Sequence, residues 1–195
     1  MPREHRILVT GASGFVGSWL LHELNKRRLE LGTELTVLTA GQSDVSDWKT
    51  EIADREQVAT LIRDCRPTAI IHLAAIAAPG DARKMPQRAR DVNFQGTMNL
   101  AYAVMEYAPE ARFVFVGSSS VEWRRKRGPQ RRARSYYSSS ETQWGLIPRA
   151  VLQAGGINFL NLLLSGWLHQ RVVIPIRESL LWSLVLQTIH LAMKF

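Results

Sequence analysis

Three glycines, Gly11, Gly14 and Gly17, constrain this chain more than any other feature. They stand between an apolar run, Arg6-Ile7-Leu8-Val9, and a stretch in which Val16, Leu20 and Leu24 share one helical face. A G-x-x-G-x-x-G spacing between strand and helix serves three separate needs. Gly11 permits a tight turn, Gly14 lets backbone approach a pyrophosphate with no Cβ in the way, and Gly17 lets the helix pack closely on the strand. The first amides of the helix and the positive end of its dipole then face the phosphates.

The rest of residues 1–122 repeats the alternation of strand and helix. The first strand is expected over 6–10, the first helix over about 15–29, with Gly32 as its stop, and a second strand over Glu34–Thr39. Residues 42–50 read as a polar loop. Asp54 is placed to cap a helix Arg55–Cys65 whose Val58, Leu61, Ile62 and Cys65 form an apolar stripe, and Pro67 follows it. Ala69–Ala75 reads as a buried strand running into small residues, with His72 as a core histidine. A loop is expected over Ile76–Pro86, broken at Pro79-Gly80, then a long helix Gln87–Tyr107 interrupted at Asn93 and Gly96 and stopped by Pro109. Arg112–Val116 is the fourth expected strand and leads into Gly117-Ser118-Ser119-Ser120-Val121. This order argues for an α/β, Rossmann-type, doubly wound parallel sheet with helices on both faces. Its ligand belongs beyond the carboxyl ends of the strands, where Gly11–Gly17, Ala74-Ala75 and Gly117–Ser120 all fall. The second strand ends Leu38-Thr39-Ala40-Gly41, with neither an acid for a ribose 2′-hydroxyl nor an Arg for a 2′-phosphate, so NAD and NADP both stay open.

Composition supports a globular chain, with 46% hydrophobic and 22% charged residues. One cysteine, Cys65, excludes an internal disulfide, and no Cys/His group has zinc-like spacing. Met1-Pro2-Arg3-Glu4-His5 leads straight into a strand and no apolar run reaches 18 residues, which points to a cytoplasmic protein without a signal peptide. Charge divides the chain. Residues 1–122 carry 14 Lys/Arg against 15 Asp/Glu, whereas residues 123–195 carry 11 against 2, with four of the six tryptophans.

Residues 6–122 resemble the extended short-chain dehydrogenase/reductases of the NAD-dependent epimerase/dehydratase type, which act on nucleotide sugars. Thr10-Gly11-Ala12-Ser13-Gly14-Phe15-Val16-Gly17 is similar to that family's T-G-x-x-G-F-x-G turn. Glu51-Ile52 sits where an Asp and an apolar residue flank the adenine. His72-Leu73-Ala74-Ala75 resembles its H-L-A-A strand end, and Asp91-Val92-Asn93-x-x-Gly96-Thr97 its D-V-N-x-x-G-T helix. Ala74-Ala75-Ile76 and Asp81-Ala82-Arg83 look most like the GDP-4-dehydro-6-deoxy-mannose reductases and dehydratases.

The resemblance implies an NAD or NADP cofactor held by Thr10, Gly11, Ser13, Gly14, Phe15, Val16, Gly17, Glu51, Ile52, Leu73, Ala74 and Ala75, with Asn93 as a supporting Asn. It implies a nucleotide-sugar substrate, hydride transfer to or from a sugar carbon, and Ser118, or its neighbour Ser119, as the Ser/Thr that hydrogen-bonds the sugar. A homodimer is compatible with it. The family's base is the Tyr of Y-x-x-x-K, where the lysine charge lowers the phenol pKa. Tyr137 is the nearest counterpart and Tyr136 the other, but Glu141 and Ser140 stand four residues on, so turnover is expected to be weak or absent.

After Val121 the resemblance stops, and residues 123–195 stay open between a frameshifted or degraded tail, a divergent working segment, and a basic binding element on a cofactor-binding scaffold. Seven Lys/Arg lie within 124–134, read here as a solvated loop in preference to a nucleic-acid site. The apolar runs 157–164 and 178–186 are shorter than a membrane span and read as core or partner-facing helices. Four strands alone would leave a bare sheet edge unless the tail covers it.

Overall fold

The computed structural model describes residues 5–31, 35–118 and 158–164. Six parallel strands form one sheet in the order β3-β2-β1-β4-β5-β6. They are β1 (His5–Thr10), β2 (Leu35–Gly41), β3 (Trp48–Lys49), β4 (Ala69–His72), β5 (Arg112–Ser118) and β6 (Asn158–Leu164). From β1 the chain moves outward to β2 and β3, then returns to β1's other side for β4, β5 and β6. The direction of winding therefore reverses between β1 and β4, which puts the crevice of such a sheet there.

Period-two alternation divides the core between the sheet's faces. Ile7, Val9, Ile71 and Val114 pack with Leu20 and Leu24 of helix α1 (Phe15–Leu31). Leu8, Ile70, Phe113 and Phe115 pack on the other face with helices α2 (Arg55–Cys65) and α5 (Thr97–Tyr107). The expected stripe of α2 is the buried one, Val58, Leu61, Ile62 and Cys65. Asp54 caps that helix, its Oδ1 accepting from Glu56 N at 2.9 Å and Gln57 N at 3.1 Å. These bonds, the Gln57 amide first, hold the Asp54 carboxyl below its usual pKa. Burial pushes the Cys65 thiol up to about 11, making it an inert core group.

Several expectations need correction. Residues 79–84 are not loop but a short helix, α3 (Pro79–Lys84). Pro79 sits at its first turn, where a missing N–H costs nothing. The long helix begins one residue earlier than expected and is not uniform: α4 (Pro86–Arg90) runs into a π-helical turn, Asp91–Gly96, and then α5. The polar loop 42–50 contains the two-residue strand β3, which pairs with Ala40 and Gly41. β4 ends at His72, three residues short of the predicted Ala75.

The run 157–164 was expected to be helical. Residues 158–164 are instead β6, paired with all seven residues of β5 from Arg112↔Asn158 to Ser118↔Leu164. A short apolar run fits a buried parallel strand as well as a helix, and periodicity cannot separate the two. The pairing also covers the edge that four strands would have left bare. The run 178–186 lies outside the described residues.

Candidate functional site

The groove lies over the carboxyl ends of β1 and β4. Thr10 closes β1, and Gly11 turns the chain at φ +72°, a conformation that L side chains rarely adopt. A Cβ on Gly11 would stand 2.6 Å from Ala74 N and 2.7 Å from Leu73 C. A Cβ on Gly17 would meet the backbone of Ala12 at 2.6 Å. Both glycines are thus required by the protein's own packing. Gly14 is different: a Cβ there would meet only Gly11 O, at 3.3 Å. It is exposed, with Ser13 and Phe15 on either side. Gly14 O accepts from Ser18 N at 2.9 Å, the first bond of α1, so the amides of Phe15, Val16 and Gly17 precede the helical ladder. An open Gly14 next to these amides fits a pyrophosphate.

The opposite wall is Leu73–Ile76, partly exposed beside the buried end of β4. Leu73 N donates to Thr10 O at 3.1 Å. Behind this wall sits His72, only 2% exposed. Its Nδ1 is 2.6 Å from Thr10 Oγ1, and its Nε2 is 2.9 Å from Thr97 Oγ1. Ala74 N donates to Thr10 Oγ1 at 3.4 Å, and Thr97 Oγ1 donates to Asn93 O at 2.7 Å. Asn93 grips Ile76 at both ends: its Oδ1 accepts from Ile76 N at 2.7 Å and its Nδ2 donates to Ile76 O at 3.2 Å. His72 also lies among the rings of Phe113 and Phe115, 6.2 and 6.1 Å away between centroids. Burial pushes its pKa down to about 4. The expected core histidine is therefore in the core, yet joined to both sides of the groove.

Further out, Glu51 and Ile52 follow β3. Ile52 is buried against Gly96, where a Cβ would come within 2.8 Å of Ile52 Cγ2. Glu51 pairs with Arg88 of α4, and its other oxygen accepts from Ala53 N at 3.1 Å. The end of β2 is occupied locally: Asp47 Oδ2 accepts from Thr39 N and Thr39 Oγ1, both at 2.8 Å. Ser118 is the last residue of β5, in register with Leu164. Ser119, Tyr136 and Tyr137 lie outside the described residues.

The structure thus gathers the glycine turn, Leu73–Ala75 and Asn93 around the β1–β4 crevice. Two contributors had no role assigned from sequence. Thr97 lay within the quoted D-V-N-x-x-G-T stretch, whereas nothing in sequence ties Arg88 to Glu51, 37 residues away. Among the described residues, no group of His, Cys, Asp and Glu could hold a metal ion, and no helix is long and apolar enough to cross a membrane.

Comparison with known proteins agrees with this geometry. The model of the NAD dependent epimerase/dehydratase family matches residues 7–171, and the chain belongs to that family. Its match continues past residue 122, where resemblance by individual motifs ends. A UDP-glucose 4-epimerase of Bacillus subtilis is 28% identical over 130 residues, covering 59% of this chain and 37% of that protein. A dTDP-4-dehydrorhamnose reductase of Streptomyces griseus is 31% identical over 128 residues, covering 63% and 38%. The chain thus spans little more than a third of these curated relatives. Among solved structures, the dTDP-4-dehydrorhamnose reductase of Bacillus anthracis in complex with NADP superposes with a TM-score of 0.63 at 21% identity, over 85% of this chain and 55% of that one. The UDP-glucose 4-epimerase of Thermus thermophilus in complex with NAD gives 0.62 at 23%, over 81% and 54%. These two likenesses establish the Rossmann-type fold.

Proposed function

We propose that this chain binds NAD or NADP in the β1–β4 crevice and is related in activity to the nucleotide-sugar epimerases, dehydratases and reductases. The observation that carries the reading is Gly14. It is the least crowded glycine of the turn, a Cβ there meeting one backbone oxygen at 3.3 Å, and it is exposed beside the first amides of α1.

A nicotinamide dinucleotide bound there supplies hydride chemistry at a sugar carbon. The chain's own residues bind and orient. Gly11 to Gly17, with Thr10, Ser13, Phe15 and Val16, present backbone to the pyrophosphate. Ile52 and Glu51 flank the adenine, with Glu51 already held by Arg88. Leu73, Ala74 and Ala75 leave room at the strand end, and Asn93 fixes Ile76 behind them. Ser118, at the end of β5, is assigned the hydrogen bond to the sugar oxygen, and Tyr137 the place of the base. Without a lysine four residues on, that phenol lacks the charge that would lower its pKa, so turnover is expected to be weak or nil.

Calorimetric titration with NAD(H) and NADP(H) tests the first part, on the wild-type chain and on Gly14→Val. Binding to wild type that is lost in a folded Gly14→Val chain is the expected result. Absence of binding to a folded wild type would sink it. Incubation with UDP-glucose, dTDP-4-dehydrorhamnose or GDP-4-dehydro-6-deoxy-mannose tests the second part. Robust turnover abolished by Tyr137→Phe would overturn the expectation of a weakened enzyme.

A further inference from the structure

The hydrogen bonds around His72 have a direction. The hydroxyl proton of Thr97 is spent on Asn93 O, at 2.7 Å. Toward His72, at 2.9 Å, Thr97 Oγ1 therefore can only accept, so Nε2 carries the ring proton. Nδ1 is then a bare acceptor, and the 2.6 Å contact with Thr10 Oγ1 is a hydroxyl donating to it. Thr10 Oγ1 keeps a lone pair for Ala74 N. Every donor in the series meets one acceptor, from Ala74 N–H through Thr10 and His72, and from His72 through Thr97 to Asn93. The Nδ1–H tautomer would reverse the bond to Thr10, depriving its hydroxyl proton of the Nδ1 acceptor, and would leave Nε2 facing an oxygen whose proton is already spent on Asn93 O. A charged ring would break the Thr10 end of the series in the same way.

The ends of this series matter. One is Ala74, in the groove wall. The other is Asn93, whose side chain holds Ile76 in the same wall. The π-helical turn Asp91–Gly96 brings Thr97 and Asn93 to this position, a local departure from α-helix of the kind that recurs at functional sites.

We propose that His72, fixed as its neutral Nε2–H tautomer, is a positioning residue that ties the glycine turn to the π-helical turn and so holds the wall Leu73–Ile76 in the shape that receives the dinucleotide. The proposal rests on the reading of the groove as a dinucleotide site. His72 touches no ligand, and its effect passes entirely through Thr10, Thr97 and Asn93.

Nitrogen NMR of the ¹⁵N-histidine-labelled full chain at neutral pH reads the tautomer without any ligand. The expected spectrum has Nδ1 as a lone-pair nitrogen and Nε2 protonated. A protonated Nδ1 overturns the proposal. Thr97→Val removes the hydroxyl at nearly constant shape, and Thr97→Ser restores it. In Thr97→Val, amide exchange at Ala74 and Ile76 is expected to quicken while Val9 and Ile71 in the neighbouring strands keep their protection. The dissociation constant for NAD(H) or NADP(H) is expected to rise about tenfold, equivalent to roughly 1.4 kcal/mol, and Thr97→Ser is expected to bring both readouts back. Exchange that quickens uniformly through the sheet, or unchanged affinity in Thr97→Val where wild type binds, overturns the proposal. A wild type that binds neither cofactor marks failure of the groove reading, a separate outcome. Should Thr97→Val not fold, the wild-type ring spectrum and Thr97→Ser still decide.

Discussion

The two walls of the β1–β4 groove are built on opposite principles. The wall from Gly11 to Gly17 is made by leaving atoms out: backbone passes so close to backbone that a single Cβ on Gly11 or Gly17 has nowhere to go. The wall from Leu73 to Ile76 is made by putting polar atoms in, with His72, Thr10, Thr97 and Asn93 saturating one another in the core. The first wall should therefore fail when something is added, and the second when something is removed.

The largest effect is expected on the first wall. Gly11→Ala combines a positive φ with a contact of 2.6 Å to the backbone of Ala74, neither of which can relax through a flexible side chain. A loss of about 3 kcal/mol or more is expected in chemical denaturation, enough to unfold a marginal domain. A Gly11→Ala chain as stable as wild type would break the comparison, because the wall would then have slack. Acid sharpens it from the other side. His72 is held neutral when folded, with a pKa near 4, against 6.5 in an open chain. Its contribution is complete above about pH 6.5 and is lost as pH falls from there toward 4, because the unfolded chain binds the extra proton over that window. A loss on the order of 2–3 kcal/mol is expected, absent in His72→Gln, as read by denaturation at stepped pH. The first wall contains no titrating side chain and should add nothing to this slope. The smallest effect belongs to the ion pair of Arg88 and Glu51, which joins the loop after β3 to α4 at the partly exposed rim. Arg88→Gln should change stability by no more than about 0.5 kcal/mol, because exposed pairs gain little over water. A loss of several times that would mean that the rim is as tightly held as the core.

The two walls also differ in how far sequence reveals them. The glycine turn is local, so spacing within seven residues between a strand and a helix is enough to locate it. The helix α2 is equally legible, because Asp54 and the stripe Val58, Leu61, Ile62, Cys65 fall within one short stretch. The polar wall unites residues 62 and 25 positions apart, Thr10 with His72 and His72 with Thr97. His72 could be placed in the core from its apolar neighbours, but its partners come from other elements. The π-helical turn escaped for the same reason: Asn93 leaves the helical pattern to bond Ile76, a tertiary contact with no local periodicity. Pro79-Gly80 carries the signature of a chain break, yet in the first turn of α3 the missing N–H of Pro79 has no helical partner to lose, and local composition does not separate the two cases. The strand 158–164 is hard to read from sequence because Phe159, Leu160 and Leu162–Leu164, interrupted only by Asn158 and Asn161, show no strict two-residue alternation.

The strand order has a consequence for the birth of the molecule. A ribosome delivers β1 first, and each later strand finds its neighbour already made: β2 beside β1, β3 beside β2, then β4 on the free side of β1, β5 beside β4 and β6 beside β5. Among the described strands, none has to be inserted between two that have already paired. The sheet can grow outward from its oldest strand at the pace of synthesis, as domains do that fold while still being made.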